Sequence, residues 1–322
     1  MRTGLRPPGS KAGDCVWFAG ICGGLPGSGL GAIPEFGWAI GRALQGAGAV
    51  SAAVTALLAD HTRDQVRTKS MALVGVSIGL MFAVSLVAAP VLAHWVGLVG
   101  IFVLTGVLAL FGVAGVIWWV PPEPLVHKHL PRGRLVDVLS SLPLMRMNLG
   151  VFVLHAVQLA MWMAVPGMLV ASGLAREHHW QVYLPAVLGS FVVMGLGLFE
   201  LERRGRMRAA FLGSILAILL VQLVFWRLSS LQPTVLELGV VLFVFFLGFN
   251  VLEASQPSLV SRLAPATQRG AAIGVYNTLQ SLGFFAGGLL GGGLIKAGGA
   301  QALFAAAAAL MALWLLVAWP MQ

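Results

Sequence analysis

The chain has 322 residues, of which 58% are hydrophobic and only 10% are charged, and its net charge is +9. This composition excludes a soluble globular protein of this length, because such a protein needs a larger charged surface. The basic residues lie in short segments between apolar runs rather than in one patch, which argues against a nucleic-acid partner. The sequence has two cysteines, Cys15 and Cys22, and nothing in it supports a disulfide framework or a metal site.

Residues 1–36 are rich in glycine and proline, and their apolar residues follow neither a helical nor a strand period. They do not resemble a signal peptide, because no clean apolar region follows the basic start. We expect this segment to be disordered or to be a coding sequence read out of frame. The alternative is a genuine nine-span chain with an unusual tail.

Nine apolar runs of about twenty residues follow, and runs of this length are typical of helices that cross a membrane. The predicted spans are 37–59, 71–93, 98–120, 147–171, 182–201, 208–227, 235–259, 270–295 and 300–320. A polar, basic and proline-rich segment, 121–146, separates three spans in 37–120 from six in 147–320. The predicted fold class is therefore an all-α polytopic membrane protein.

The charges of the connecting segments predict the orientation. Thirteen basic residues lie on one side of the predicted membrane, and only Arg176, Arg227 and Lys296 lie on the other. By the positive-inside rule, the side with the thirteen is cytoplasmic, and the C-terminus is cytoplasmic too. Nine spans then place residue 37 outside, whereas the basic residues of 1–36 favour the inside.

The spans 37–59, 147–171, 235–259 and 270–295 carry closely spaced ionisable or amide side chains, which are costly in lipid and usually face a cavity. The candidate cavity residues are Arg42, Gln45, His155, Gln158, Asn250, Glu253, Asn277 and Gln280. Apart from Gln301 at the start of the last span, the spans 98–120 and 300–320 carry nothing more polar than Thr105, so we expect them to face lipid. This division between polar and apolar helices predicts a path for a small-molecule substrate through the bilayer.

Each polar position also has a structural interpretation. Arg42 lies near one end of its span, where its side chain can reach the headgroups. His155 with Gln158, and Asn277 with Gln280, can be interhelical hydrogen bonds that hold helices together. Glu253 is a carboxylate in the middle of a span, and it favours a proton or cation site over a structural role.

The glycines of "GFFAGGLLGGG", 283–293, indicate close helix packing. No strand precedes them, which argues against a nucleotide-binding loop. His127 and His129 have no further metal ligands nearby, and His178 and His179 are expected to be a solvated pair in a loop. We therefore predict no metal site.

Two motifs resemble those of the major facilitator superfamily. "GRALQGAGA", 41–49, resembles the R-x-x-Q-G motif of the family's fourth helix, and "ELERRGR", 200–206, resembles its D-R-x-G-R loop motif. The longer stretches "GRALQGAGAVSAAVTALLADHTRDQVRTKSMA" and "YNTLQSLGFFAGG" are similar to the YajR-type branch of bacterial inner-membrane transporters, a branch of proton-driven efflux proteins. The resemblance covers roughly residues 38–320.

On this resemblance the nine spans are helices 4 to 12, half of the N-terminal bundle and a complete six-helix C-terminal bundle. It implies proton-coupled export of small amphipathic compounds by alternating access, driven by the proton gradient without a cofactor. It also implies that Arg42 tunes a proton-binding carboxylate, for which Glu253 is the candidate. The predicted latch residues of the gate are Asp60, Glu202, Arg203 and Arg206.

The family pattern has three further helices and a main loop motif ahead of residue 37, and its efflux motif in helix 5 ends in Gly-Pro where this chain has Ala89-Pro90. The alternative function is therefore a non-transporting remnant or a membrane interaction protein. A membrane enzyme is disfavoured, because no cluster of His, Asp and Glu lies at one membrane face. We expect a monomer in the bacterial inner membrane. Trp162, Phe246, Phe249 and Phe284 suggest a partly aromatic cavity.

Overall fold

The computed structural model describes residues 64–119, 135–204, 206–265 and 268–320, and all regular structure in these ranges is helical. The helices are α1 Asp64–Trp119, α2 Leu135–Ser140, α3 Leu142–Ala171, α4 Trp180–Arg203, α5 Met207–Leu228, α6 Val235–Leu263 and α7 Arg269–Ala318. The chain divides into two compact units, 1–130 and 131–322. The predicted fold class, an all-α membrane protein, is confirmed.

The first unit contains α1, which is two helices joined at a break. Gly97 interrupts it with φ of 66° and ψ of 179°, a conformation that glycine adopts readily and residues with a Cβ do not. The break lies between the predicted spans 71–93 and 98–120. The segment Gly100–Trp119 is long and apolar enough to cross a membrane.

The second unit contains α2 to α7. Here α3, α4, α5 and α6 match the fourth to seventh predicted spans, and each is long and apolar enough to cross a membrane. The helix α7 covers the last two predicted spans, because Gly298 and Gly299 break its geometry, with Gly299 at φ of 68°. The second unit thus holds six spans, as predicted.

The helices reach further into the predicted loop 121–146 than expected. The short helix α2 lies within it, and α3 begins at Leu142 rather than at 147. Pro143 lies in the first turn of α3, where the missing N–H costs nothing and the fixed φ suits a helix. Because this region is polar, the sequence did not indicate that the helix begins there.

The α3 helix and the first part of α7 pack closely and run parallel. A Cβ at Gly283 would lie 2.5 Å from the carbonyl oxygen of Phe152, and one at Gly291 would lie 3.0 Å from the Cα of Ala160. Between them, a Cβ at Gly287 would collide with the backbone of Ala156. The glycines therefore serve helix packing, as the sequence predicted.

The second part of α7 runs antiparallel to α5. Phe225 stacks on Phe304 with ring centroids 5.1 Å apart, and Phe211 meets Trp314 edge to face at 6.2 Å. Near the end of the helix, the Arg208 guanidinium donates to the carbonyl of Trp319 at 2.8 Å. These contacts pack the second part of α7 against α5.

Candidate functional site

Three polar side chains from three different helices meet inside the second unit. His155 projects from α3, Glu253 from α6 and Gln280 from α7. The Gln280 amide nitrogen lies 2.8 Å from His155 Nε2 and 3.3 Å from Glu253 Oε1, and His155 Nε2 lies 3.2 Å from Glu253 Oε2. The sequence predicted all three as cavity residues, and the structure brings them together.

The hydrogen bonds of this cluster define the state of the imidazole. His155 Nδ1 lies 2.8 Å from the carbonyl oxygen of Val151, which only accepts, so Nδ1 carries a hydrogen. In the neutral imidazole Nε2 is then an acceptor. The two hydrogens of the Gln280 amide nitrogen are donated to Nε2 and to Glu253 Oε1.

His155 Nε2 and Glu253 Oε2 are consequently two acceptors that face each other. Oε2 is buried and accepts no hydrogen bond from the part of the chain that the structure describes. Two lone pairs 3.2 Å apart repel each other, whereas a hydrogen on either atom would form a hydrogen bond between them.

The surroundings of the cluster are apolar on one side and open on the other. The His155 side chain is only 1% exposed, whereas that of Glu253 is 40% exposed. The rings of Phe249 and Phe284 meet the imidazole edge to face, with centroids 5.8 and 4.7 Å away. The carboxylate can therefore exchange with solvent or a solute, while the imidazole is shielded from water.

An aromatic group lies further along α3. Trp162 meets Tyr183 at 5.0 Å and Phe246 at 6.2 Å between ring centroids, which joins α3 to α4 and α6. Phe246 and Tyr183 are buried, so these rings pack the helices together. The predicted aromatic cavity stays a prediction.

The other predicted cavity residues of the second unit have separate environments. Asn250 donates to the hydroxyl of Ser190 on α4 at 2.9 Å. Gln158 lies about one turn after His155, and its buried Oε1 has no hydrogen-bond donor among the described residues. Asn277 is half-buried, and its backbone carbonyl accepts from Ser281.

The remaining predicted site residues are described only in part. Arg42, Gln45 and Asp60 lie outside the described residues. Glu202 and Arg203 are the last residues of α4, where the structure describes the backbone and not the side chains, and Arg206 is exposed directly before α5. Their roles as cavity and latch residues stay predictions.

The structure adds two residues that were not predicted as site residues. The Tyr276 hydroxyl on α7 donates to Gln256 Oε1 on α6 at 3.2 Å, and both side chains are buried. The sequence carried a signal for Gln256, since it follows Glu253 by three residues and shares its helix face. Tyr276 likewise precedes Gln280 by four residues on one helix face, but a tyrosine is neither an ionisable carboxylate or imidazole nor an amide and was not predicted as a site residue.

One expectation about a loop was wrong. His178 is exposed, but His179 is buried, with Nε2 3.2 Å from the carbonyl oxygen of Leu174 and its ring against Tyr183. The tight turn after α3 folds this second histidine back onto the bundle, so the two are not a solvated pair.

Comparisons with known proteins agree with this architecture. A sequence model described as Major Facilitator Superfamily matches residues 7–288 and 201–321. The chain is 38% identical over 312 residues to the inner membrane transport protein YajR of Escherichia coli (strain K12), an alignment that covers 94% of this chain and 68% of that protein. It is 31% identical over 260 residues to the uncharacterized transporter BU466 of Buchnera aphidicola subsp. Acyrthosiphon pisum, covering 78% of this chain and 65% of that one.

A solved structure is also similar. The crystal structure of the human organic anion transporter MFSD10 (TETRAN) matches with a TM-score of 0.68 at 18% identity, over 96% of this chain and 76% of that chain. At this identity the likeness shows the fold alone. The chain spans about two thirds of the length of its two bacterial relatives, 68% and 65%.

Proposed function

Because the chain belongs to the major facilitator superfamily, we propose that it is a secondary active transporter that exports small amphipathic compounds in exchange for protons. Transporters of this kind move a substrate by opening a central site alternately to the two sides of the membrane. The observation that supports proton coupling here is the pair of facing acceptors, His155 Nε2 and Glu253 Oε2, 3.2 Å apart.

The coupling follows from competition at Glu253. Without the proton, the half-open carboxylate is a negative charge beside aromatic rings, and it attracts a hydrogen-bond donor or a positive group of an amphipathic solute. When a proton binds between Glu253 and His155, this attraction is lost and the solute is released. Mutually exclusive binding of the two ligands produces exchange.

The rest of the proposed mechanism uses predicted residues. The resemblance implies that Arg42 and Gln45 belong to the cavity wall and that the positive charge of Arg42 tunes the proton-binding carboxylate. It also implies one latch of the gate in each half of the chain, with Asp60 in the first half and Glu202, Arg203 and Arg206 in the second. Since two states of similar energy are shifted by small interactions, such surface pairs suffice to bias them.

The experiment is transport by the purified full chain in proteoliposomes with an imposed pH gradient. A panel of cationic and anionic amphipathic dyes, with ethidium among the cations, serves as substrate, and a pH-sensitive dye on the far side reports proton movement. We expect Glu253→Gln to abolish gradient-driven dye movement, because a neutral amide cannot bind and release the proton.

The matched control is Glu177→Gln, the same chemical change at an exposed position outside the site. It should leave transport unchanged. Gradient-driven transport that persists in Glu253→Gln contradicts proton coupling through this carboxylate. If the folded wild-type chain moves none of the dyes and no protons, the transport proposal fails as a whole.

A further inference from the structure

A second polar layer lies directly beside the proposed proton site. It consists of Gln256 on α6 and Tyr276 on α7, joined by the hydrogen bond from the Tyr276 hydroxyl to Gln256 Oε1. Gln256 is 0% exposed and Tyr276 2%. Because both side chains are buried, water that reaches the exposed edge of Glu253 does not reach this layer.

The two layers stack along antiparallel helices. Gln256 follows Glu253 by three residues on α6, and Tyr276 precedes Gln280 by four residues on α7, so each lies about one turn away on the same helix face. The step from Glu253 to Gln256 along α6 and the step from Gln280 to Tyr276 along α7 both lead towards the helix ends that carry Arg262 and Arg269. These ends are the ones predicted to face the cytoplasm.

The layers also interact electrostatically. The charge of Glu253 acts on the Tyr276 hydroxyl. His155 from α3 also faces this carboxylate, with Nε2 3.2 Å from Oε2.

Two buried polar atoms in these layers complement each other. Glu253 Oε2 is an acceptor and Gln256 Nε2 is a donor, and within the described part of the chain neither has a hydrogen-bond partner. Buried polar atoms are rarely left unpaired, and a buried water typically makes about three hydrogen bonds to such groups. A water that accepts from Gln256 Nε2 and donates to Glu253 Oε2 satisfies both atoms, and its second hydrogen is directed to the oxygen of Tyr276.

We propose that Gln256 and Tyr276 hold this water, and that Glu253 exchanges its proton through it on the side of Arg262 and Arg269. This inference rests on the proposed function, in which Glu253 binds the transported proton. The proton moves from Oε2 to the water oxygen, and one of the water's original protons passes to bulk water when the helix ends on that side are open, so that the bound water is regenerated.

In this structure, buried residues separate this layer from the helix ends that carry Arg262 and Arg269. Val260 on α6 and Ala272 on α7 are each 1% exposed and follow the layer towards the helix ends. Exchange on this side therefore requires these ends to separate. Glu253 then has two routes, the open one through its exposed edge and the gated one through the water, as alternating access requires.

The test is infrared difference spectroscopy of the full chain in lipid nanodiscs, recorded after a pH change and during exchange into D₂O. The carbonyl band that disappears in Glu253→Gln belongs to the protonated Glu253. We expect Tyr276→Phe and Gln256→Met to move this band to higher frequency, because the carboxyl loses a hydrogen bond, and to slow its deuterium exchange at least about tenfold.

The matched control is Ser255→Ala, a buried polar neighbour on α6 whose hydroxyl donates to the carbonyl of Val251 at 2.7 Å. It should leave both band position and exchange rate unchanged. Tyr276→Phe removes one hydroxyl only and serves as the second variant if Gln256→Met fails to fold.

The outcomes separate this inference from the proposed function. A Glu253 band with unchanged position and exchange rate in both variants overturns the water-holding role and leaves proton binding by Glu253 in place. A wild-type chain in which Glu253 never gains a proton overturns both.

Discussion

Gln280 determines how the imidazole and the carboxylate of the site meet. Its amide nitrogen reaches both His155 Nε2 and Glu253 Oε1, at 2.8 and 3.3 Å, and so holds the two groups in position without placing a hydrogen between Nε2 and Oε2. The carbonyl of Val151 fixes the other ring nitrogen. Gln280 and Val151 thus fix the relative positions of the imidazole and the carboxylate.

This arrangement predicts the effect of removing the imidazole. His155→Leu fills a similar volume but takes away the second acceptor, so the proton is bound by Glu253 alone and its coupling to the solute weakens. We expect gradient-driven dye transport in proteoliposomes to fall at least about tenfold, equivalent to about 1.4 kcal/mol.

A matched control for this change lies two turns earlier on the same helix. Asn148 is buried and polar, and its only described side-chain hydrogen bond is a weak one to the sulfur of Met145 at 3.8 Å. Asn148→Leu should transport like the wild type. Equal losses of transport in the two variants would show that replacing any buried polar residue of α3 lowers transport. This result would refute a specific role for His155.

The helix pair α3 and α7 sets the geometry of the site. Ala156, which follows His155, packs against Gly287, and Phe152 packs against Gly283, three residues after Gln280. Without Cβ atoms on α7, the two backbones approach closely, as is typical of helix pairs in membranes. The distance between His155 and Gln280 depends on this contact.

A methyl group at the contact should separate the helices. The Cβ of Gly287→Ala collides with the backbone of Ala156, which cannot move aside as a flexible side chain can. We therefore expect the free energy of unfolding to fall by about 1–3 kcal/mol. The measurement is thermal unfolding of the purified chain in detergent.

The control for this prediction is five residues away on the same helix. A Cβ at Gly292 meets nothing within 4 Å, so Gly292→Ala should be neutral or stabilising by up to about 1 kcal/mol. If Gly287→Ala melts at the same temperature as Gly292→Ala, the close contact does not contribute to stability.

Across the molecule, hydropathy and the positions of glycines predicted the bounds of the helices better than they predicted the candidate functional site. The runs of apolar residues gave the spans, and the breaks at Gly97 and at Gly298–Gly299 lie where predicted spans end and begin. The candidates His155, Glu253 and Gln280 were identifiable because polar groups are costly in lipid. The contact between these residues could not be predicted from the sequence, because Gln280 and His155 are 125 residues apart in the chain.

The same limitation explains the residues that were missed. Gln256 and Tyr276 each resemble an isolated polar group that packs between helices, and only the antiparallel pairing of α6 and α7 shows that they belong to one layer. The start of α3 was placed too late for a different reason. The polar residues before 147 have the composition of a loop, whereas Pro143 is compatible with the first turn of a helix.

The charges of the connections predict the orientation of the whole chain. The segment between α4 and α5 carries Arg204 and Arg206, and the α6–α7 connection is flanked by Arg262 and Arg269, whereas the α5–α6 connection carries no basic residue after Arg227. Basic connections stay on the cytoplasmic side because they are not translocated readily. The side of the membrane to which the proposed gated route leads depends on this orientation.

Labelling of single cysteines in intact cells tests the orientation. In a chain with Cys15 and Cys22 replaced by serine, Ser230→Cys lies in the exposed α5–α6 connection, and Pro265→Cys lies in the exposed α6–α7 connection. We expect a membrane-impermeant thiol reagent to reach Ser230→Cys from the periplasm once the outer membrane is opened, and Pro265→Cys only after the inner membrane is disrupted. The reverse pattern would place Arg262 and Arg269 outside and would contradict the predicted orientation, and the proposed gated route from Glu253 would then lead to the periplasm.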